Sequence, residues 1–245
     1  MRVHGIGKTD TGNIRSKNED SIFISNEPLG PMPNLYIVSD GMGGHLAGEI
    51  ASTKGIEFFL NYIKENNCQT EMLDYMVLAL SFANRQVYEL SVLDAELTGM
   101  GATFTACAIK DGTLHIVHAG DSRVYSLNDS GINQLTTDHT YVHEMIKAGQ
   151  ITERQAKKHP QRNIITKALG TEDELFADKK QLLIEGKNTI LLCSDGLTNM
   201  VSDDQIYSTV KNSQDIQGAV DALVSLANQH GGDDNISVIL IETEG

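Results

Sequence analysis

Leu35-Tyr36-Ile37-Val38-Ser39-Asp40-Gly41 and Thr189-Ile190-Leu191-Leu192-Cys193-Ser194-Asp195-Gly196 are two short apolar runs, each closed by Ser-Asp-Gly and lying more than 150 residues apart. Each run has the length and β-favouring composition of a buried strand. A lone Asp-Gly is more often a turn than a site. Asp111-Gly112 supplies the comparison, because strand-like runs at 106–109 and 114–117 flank it and make it a tight hairpin turn. Neither Asp40-Gly41 nor Asp195-Gly196 is followed by a partner strand at hairpin distance. The repeated pattern therefore points to a task shared by the two carboxylates.

Working outward, further β-rich runs occupy residues 2–6, 21–25, 103–109, 124–127 and 236–241. A second turn, Asn128-Asp129-Ser130-Gly131, follows the run at 124–127, and consecutive hairpins imply antiparallel sheet. Helical spacing recurs in Ile56, Phe59, Leu60 and Ile63, and again in Leu73, Met76, Val77, Leu80, Ala83, Val87 and Leu90. Residues 141–148, ending at Gly149, and residues 216–227 read as two more helices. Met and aromatic residues on these faces read as core. Strands in blocks and helices in blocks predict an α+β fold, antiparallel sheet covered by helices. No linker or short repeat interrupts the chain, so one domain over residues 1–245 is expected.

Nineteen Lys and Arg against 33 Asp and Glu give a net charge of −14, and the pI is near 4.9. That balance argues against a nucleic-acid backbone partner and against an anionic membrane surface. No stretch approaches the roughly 20 apolar residues of a membrane span, and residues 1–8 lack the layout of a secretory signal, so the expected compartment is the cytoplasm. Trp is absent and aromatics are 5%, which leaves the core to aliphatic side chains and Met. Cys68, Cys107 and Cys193 are far apart and form no CxxC pair, which argues against a disulfide framework or a zinc–thiolate site.

Five acids fall at strand margins: Asp20 before 21–25, Asp40 after 35–39, Asp121 between two strands, Asp195 after 189–193 and Asp234 before 236–241. Oxygen clusters of that kind suit hard divalent cations. A dinucleotide reading of the glycine-rich segment fails, since GxGxxG begun at Gly41 meets Leu46, and Asp40 would repel a phosphate there. No P-loop, EF-hand loop or GxSxG elbow is present. With no obvious protein nucleophile, metal-activated water is the leading chemistry.

Taken in order, the segments resemble the PPM (type 2C) family of metal-dependent serine/threonine protein phosphatases in its bacterial single-domain form. The matching pieces are Thr11-Gly12-Asn13-Ile14-Arg15-Ser16-Lys17-Asn18-Glu19-Asp20, Ser39-Asp40-Gly41-Met42-Gly43-Gly44-His45, Gly101-Ala102-Thr103 and Ala119-Gly120-Asp121-Ser122-Arg123. Thr137-Asp138-His139, His159-Pro160 with Arg162-Asn163, Ser194-Asp195-Gly196 and Gly232-Asp233-Asp234-Asn235 complete the series. The resemblance implies a four-layer α-β-β-α sandwich, with two antiparallel sheets flanked by helices and a metal centre at one end.

Carried over residue by residue, the resemblance makes Asp40 the carboxylate bridging two Mn²⁺ or Mg²⁺ ions. The Gly41 carbonyl would bind one ion, Asp195 and Asp234 the other, and Glu19 and Asp20 would hold metal-bound waters or bind directly. Asp121 with Asp195 would form a third site, for which Thr198-Asn199 lacks the carboxylate common in eukaryotic relatives. Arg15 would clamp phosphate, and His45 would protonate the departing oxygen. The implied reaction is in-line attack on phosphoserine or phosphothreonine by a hydroxide shared between the ions. Implied partners are phosphoproteins and a cognate Ser/Thr kinase, with the protein acting as a monomer. Asp138 and His139 read as structural partners, His118 as packed, and the segment about 140–169 as a flap. A non-catalytic binding protein of this fold and a Ca²⁺-binding module rank below the enzyme, because all the metal acids are retained.

Overall fold

The computed structural model describes residues 2–43, 47–184 and 186–244. The chain runs β1 (Arg2–Asp10), β2 (Asp20–Ser25), β3 (Leu35–Met42), α1 (Ala47–Glu65), α2 (Met72–Leu93), β4 (Gly101–Ala102), β5 (Phe104–Lys110), β6 (Thr113–Ala119), β7 (Arg123–Asn128) and β8 (Gly131–Gln134). It continues through α3 (Tyr141–Lys147), α4 (Glu153–Ala156), β9 (Asp178–Leu183), β10 (Asn188–Cys193), α5 (Asp195–Thr198), α6 (Asp203–Asn212), α7 (Ile216–Gln229) and β11 (Ile236–Glu244). One sheet has the order β1-β11-β10-β7-β8. The other has β2-β3-β5-β6-β9, with β4 also paired to β3. Every strand pairing is antiparallel.

The two-residue period of a strand explains why the deciding runs are apolar throughout. Leu35 and Ile37 enter a core shared with Phe59, Ile63, Met76 and Leu80 of α1 and α2. Tyr36 and Val38 point the other way, into a second core with Leu192, Ile239 and Ile241. Leu191, Cys193, Val238 and Leu240 face a third core, against Val220, Leu223 and Ala227 of α7. Both sheets are thus covered on both faces, and three cores separate four layers in the expected α-β-β-α order. Each fully buried aliphatic side chain in these cores contributes about 1.5–3 kcal/mol of transfer free energy.

The hairpin at Asp111-Gly112 forms as the sequence predicts. Lys110 pairs with Thr113, and both turn residues have positive φ (49° and 77°), the geometry that matches strand twist. The turn at residues 128–131 joins β7 to β8 with Asn128 paired to Gly131, and here the positive φ (126°) falls on Gly131 and not on the two central residues. Several elements escape the pattern. β9, Asp-Lys-Lys-Gln-Leu-Leu, is an exposed edge strand whose lysines suit an unpaired edge but hide the period-two signal. α4 and α5 have four residues each, and α6 buries a single apolar side chain, Ile206. Asp40 does not close its strand. β3 continues to Met42 because Asp40 O accepts from Thr103 N (2.8 Å) and Gly41 N donates to Glu19 O (3.1 Å).

Candidate metal centre

Register brings the first two acids together. β2 and β3 pair with Asp20 directly opposite Asp40, so two carboxylates project from neighbouring positions on one face of the ladder. Like charges so placed repel. From the other sheet, Asp195 opens α5 where β10 ends, and Asp234 stands two residues before β11. Asp121 occupies the link between β6 and β7. The charges of Asp20, Asp195, Asp121 and Asp234 all act on Asp40, and Asp195 lies within hydrogen-bond reach of it. All five strand-margin acids therefore meet at one end of the sandwich.

The electrostatics follow from burial. Loss of hydration, reinforced by neighbouring carboxylates, pushes Asp20 up to about 7 and Asp121 up to about 8. The same causes hold Asp40 and Asp195 above the usual carboxylate range. Burial also raises Glu19, against the pull of Arg15. Asp20 and Asp121 are buried, whereas Asp40, Asp195 and Asp234 keep one side open, which leaves a route into the cluster.

Surrounding groups fix the orientation of the acids. Ser194 Oγ donates to Asp20 Oδ2 (2.7 Å), Asn199 Nδ2 to Asp195 Oδ2 (2.9 Å) and Asn235 N to Asp234 Oδ1 (2.9 Å). Thr103 Oγ1 accepts from Asp40 N (2.9 Å) and contacts Ser122 Oγ (2.7 Å), which ties the backbone at Asp40 to the residue after Asp121. A Cβ on Gly41 would collide with Gly48 O and stand 2.7 Å from Glu19 O, so only glycine fits where the loop before β2 meets β3 and α1.

The donor set fits hard divalent cations. Asp20 Oδ1 is buried without a hydrogen-bond partner. An orphaned oxygen of this kind costs about 1–3 kcal/mol unless something pairs with it. Clustered carboxylate oxygens are the ligands that Mn²⁺ or Mg²⁺ prefers, and a bound cation offsets the repulsion and burial that otherwise disfavour their ionisation. Among the described residues no group of three or more His, Cys, Asp or Glu side chains is already arranged to hold a metal ion. What the fold supplies is a like-charged cluster of hard oxygen donors.

The remaining sequence-derived site residues divide clearly. Arg15 reaches the cluster, donating from Nη2 to Asp234 Oδ2 at 2.9 Å while half its side chain stays exposed. Partial burial works against its charge, but Asp234, Glu19 and Asp40 outweigh that and raise its pKa. His45 lies outside the described residues. Asp138 makes a bidentate pair with Arg123 (shortest contact 2.6 Å), and His139 Nδ1 accepts from Gly120 N (3.0 Å), so both hold the scaffold. His118 is buried, pushed down to about 4 by loss of hydration and hydrogen-bonded to Thr105 Oγ1 (2.9 Å).

Sequence reasoning passed over one organising side chain. Asn235 Oδ1 accepts from Glu19 N (2.8 Å), and its Nδ2 donates to Thr11 O (2.9 Å) and Lys17 O (2.8 Å). It clamps the loop carrying Arg15 and Glu19, which leads into β2 at Asp20, to the segment carrying Asp234. The Asp-Asp-Asn motif drew attention to this position without revealing partners more than 200 residues away. Asn235→Ala is expected to lose about 2 kcal/mol, since it removes three part-buried hydrogen bonds that join the loop to the Asp234 segment. Thermal unfolding should then shift down by roughly 4–8 °C for a chain of this size. An unchanged melting temperature would rule out the clamp.

A carboxylate-lined cation centre at the edge of a four-layer sandwich is the class of site defined by this geometry. The family model for protein phosphatase 2C matches residues 14–236. A serine/threonine phosphatase stp from Listeria monocytogenes is 34% identical over 249 residues, covering 99% of this chain and 96% of that protein. Among solved structures, serine/threonine phosphatase Stp1 from Staphylococcus aureus superposes with a TM-score of 0.91 at 33% identity, covering 100% of this chain and 96% of that one. The catalytic domain of serine threonine protein phosphatase PstP, solved with two manganese ions, gives a TM-score of 0.86 at 30% identity, covering 99% of each chain. The chain belongs to the protein phosphatase 2C family. Phosphatases of this family use Mn²⁺ or Mg²⁺.

Proposed function

We propose that this protein is a metal-dependent phosphatase that hydrolyses phosphoserine and phosphothreonine monoesters in proteins. The observation that carries the reading is the convergence of Asp20, Asp40, Asp121, Asp195 and Asp234 on one buried end of the sandwich, with Asp20 Oδ1 left unpartnered. When bound, divalent cations supply Lewis-acid charge and water activated near neutral pH. Asp40 lies centrally among the acids and is the candidate shared ligand. Asp195 and Asp234, with the Gly41 carbonyl, complete the proposed pair of sites. Glu19 and Asp20 border them, and Asp121 with Asp195 forms the candidate third site. Ser194, Asn199, Thr103 and Asn235 hold these groups in place before any ion arrives.

Arg15 is the candidate phosphate clamp. Its pair with Asp234 is half exposed and worth at most about 1 kcal/mol, so the guanidinium is released cheaply to a phosphate dianion. Its planar fork matches two phosphate oxygens. His45 remains the proposed proton donor to the leaving oxygen. The natural substrates are phosphoproteins, with a Ser/Thr kinase as the opposing activity, and the chain acts as a single-domain monomer in the cytoplasm. No helix of the described residues is long and apolar enough to cross a membrane.

The test is hydrolysis of p-nitrophenyl phosphate and of a phosphothreonine peptide, with Mn²⁺ and with EDTA. Turnover of both that needs the metal is expected, and turnover indifferent to EDTA would remove the proposal. In the same assay Arg15→Ala should raise KM about tenfold, with kcat changing less, because a bidentate ground-state contact is lost. An unchanged KM would return Arg15 to the surface.

A further inference from the structure

The charge of this chain is unevenly placed. Residues 140–169 contain six Lys and Arg against two Glu, a net of +4, so the rest of a −14 chain carries −18. Lys147, Arg154, Lys157, Lys158 and Arg162 are all exposed, and among the described residues no ion pair engages any of them. Lys167, the sixth, is held by Asp178 at 2.7 Å. Four of the free cations fall within nine residues, 154–162, where Lys157 caps the end of α4 and Lys158 follows it. Unpaired cations so close together repel one another, which favours an anionic partner.

The segment is ordered and rooted beside the acidic centre. It leaves the body at His139, whose N donates to Gly120 O (2.8 Å), next to Asp121. It returns at Leu169, which exchanges backbone hydrogen bonds with Ala102 (2.8 and 3.0 Å), next to the Thr103 that holds Asp40. Tyr141 N to Ile164 O (2.9 Å) and Thr166 N to His139 O (2.8 Å) close its base, and Thr152 and Gln155 form a capping box on α4. A positive surface thus rises from the rim of the negative one.

We propose that this surface docks acidic residues flanking the phosphorylated side chain, so that the enzyme selects phosphosites in an Asp- and Glu-rich context. The inference rests on the phosphatase reading and adds to it a substrate class. The −18 body alone would favour basic flanks, so the sign of the preference distinguishes the segment's field from that of the whole molecule. Basic flanks would meet the body's attraction but the segment's repulsion at the point of contact. Acidic flanks gain short-range pairing with Arg154, Lys157, Lys158 and Arg162.

The test uses phosphothreonine peptides identical except for Glu, Gln or Lys flanks, assayed in Mn²⁺ beside p-nitrophenyl phosphate, which has no flanking chain. At low ionic strength kcat/KM for Glu flanks should exceed that for Lys flanks by about tenfold. The gap should close at about 0.5 M salt as screening shortens the field. Combining Arg154→Glu, Lys157→Glu and Lys158→Glu should abolish or invert the preference and leave nitrophenyl phosphate turnover and melting temperature unchanged. The corresponding Gln variant should lie between. Equal rates on all flanks, a preference for Lys flanks, or a preference that survives charge reversal would overturn the proposal. So would a parallel loss of nitrophenyl phosphate turnover. Binding to anionic vesicles that disappears on charge reversal while the peptide preference persists would assign the surface to a membrane instead. If neither the peptides nor nitrophenyl phosphate is turned over, the phosphatase reading itself fails; if only flank selectivity is missing, only the docking surface does.

Discussion

Replacing Asp40 with Asn is expected to reduce kcat in Mn²⁺ by at least about 10³-fold, while the metal-free protein becomes more stable at pH 8. Two consequences of one position account for the opposite signs. Asp40 sits among Asp20, Asp121, Asp195 and Asp234 with its own ionisation disfavoured by burial and by those neighbours. Without a cation its charge is a liability, and an amide of the same shape relieves it. With cations, the same carboxylate is the candidate shared ligand. Removing it withdraws Lewis-acid stabilisation worth several kcal/mol, and each 1.4 kcal/mol is a factor of ten in rate. Thr103 holds the Asp40 backbone on both its N–H and its carbonyl, so the substitution should leave the strand in place. Full activity in the variant would remove Asp40 from the metal site. Lost activity with a lowered melting temperature would point to general misfolding.

Mn²⁺ is expected to raise the melting temperature by roughly 5–11 °C at pH 8 and by much less at pH 5.5. An ion present at about 100 times its Kd stabilises the folded state by about 2.7 kcal/mol, and a chain of this size gains about 2–4 °C per kcal/mol. The pH dependence follows from the acids. Asp20 at about 7 and Asp121 at about 8 lie above an unfolded carboxylate near 3.9, so the folded protein holds more protons between those limits. Their contribution to metal-free stability is full below about pH 4 and is lost as pH rises through about 7–8. Metal-free protein should therefore melt higher at pH 5.5 than at pH 8. Cations compete with the same protons, so the gap between metal-bound and metal-free protein widens with pH. Asp121→Asn should flatten the metal-free slope. A metal-free protein more stable at pH 8, or an Mn²⁺ shift equal at both pH values, would contradict the cluster.

Much of the architecture was legible in local patterns. Residues 35–38 and 190–193 announced strands by their apolar, β-favouring composition, and the fold supplies the reason no position is polar, since neither face of these strands meets solvent. The spacing of Ile56, Phe59 and Ile63, and of Met76, Leu80 and Ala83, announced helices with one buried stripe, and Asp111-Gly112 announced its turn. Elements with weak local signals were not legible: β9 lies on an edge, where lysines are tolerated, α5 has only four residues, and α6 shows its apolar side through just Ile206, Tyr207 and Val210.

The kinds of residue at the site were also set by the chain alone, since carboxylates at strand margins suit hard cations wherever they end up. Their gathering was not. Asp20 meets Asp40 through strand register, Asp195 and Asp234 come from the opposite sheet, and Asn235 fastens Glu19 across 216 residues. None of these pairings leaves a periodic trace, because each partner's local neighbours are already satisfied by its own strand or loop. Composition and period determined which faces would be buried and which oxygens were on offer. Only the packing of one sheet on the other decided that those oxygens share one pocket, and that a cationic segment stands at its rim.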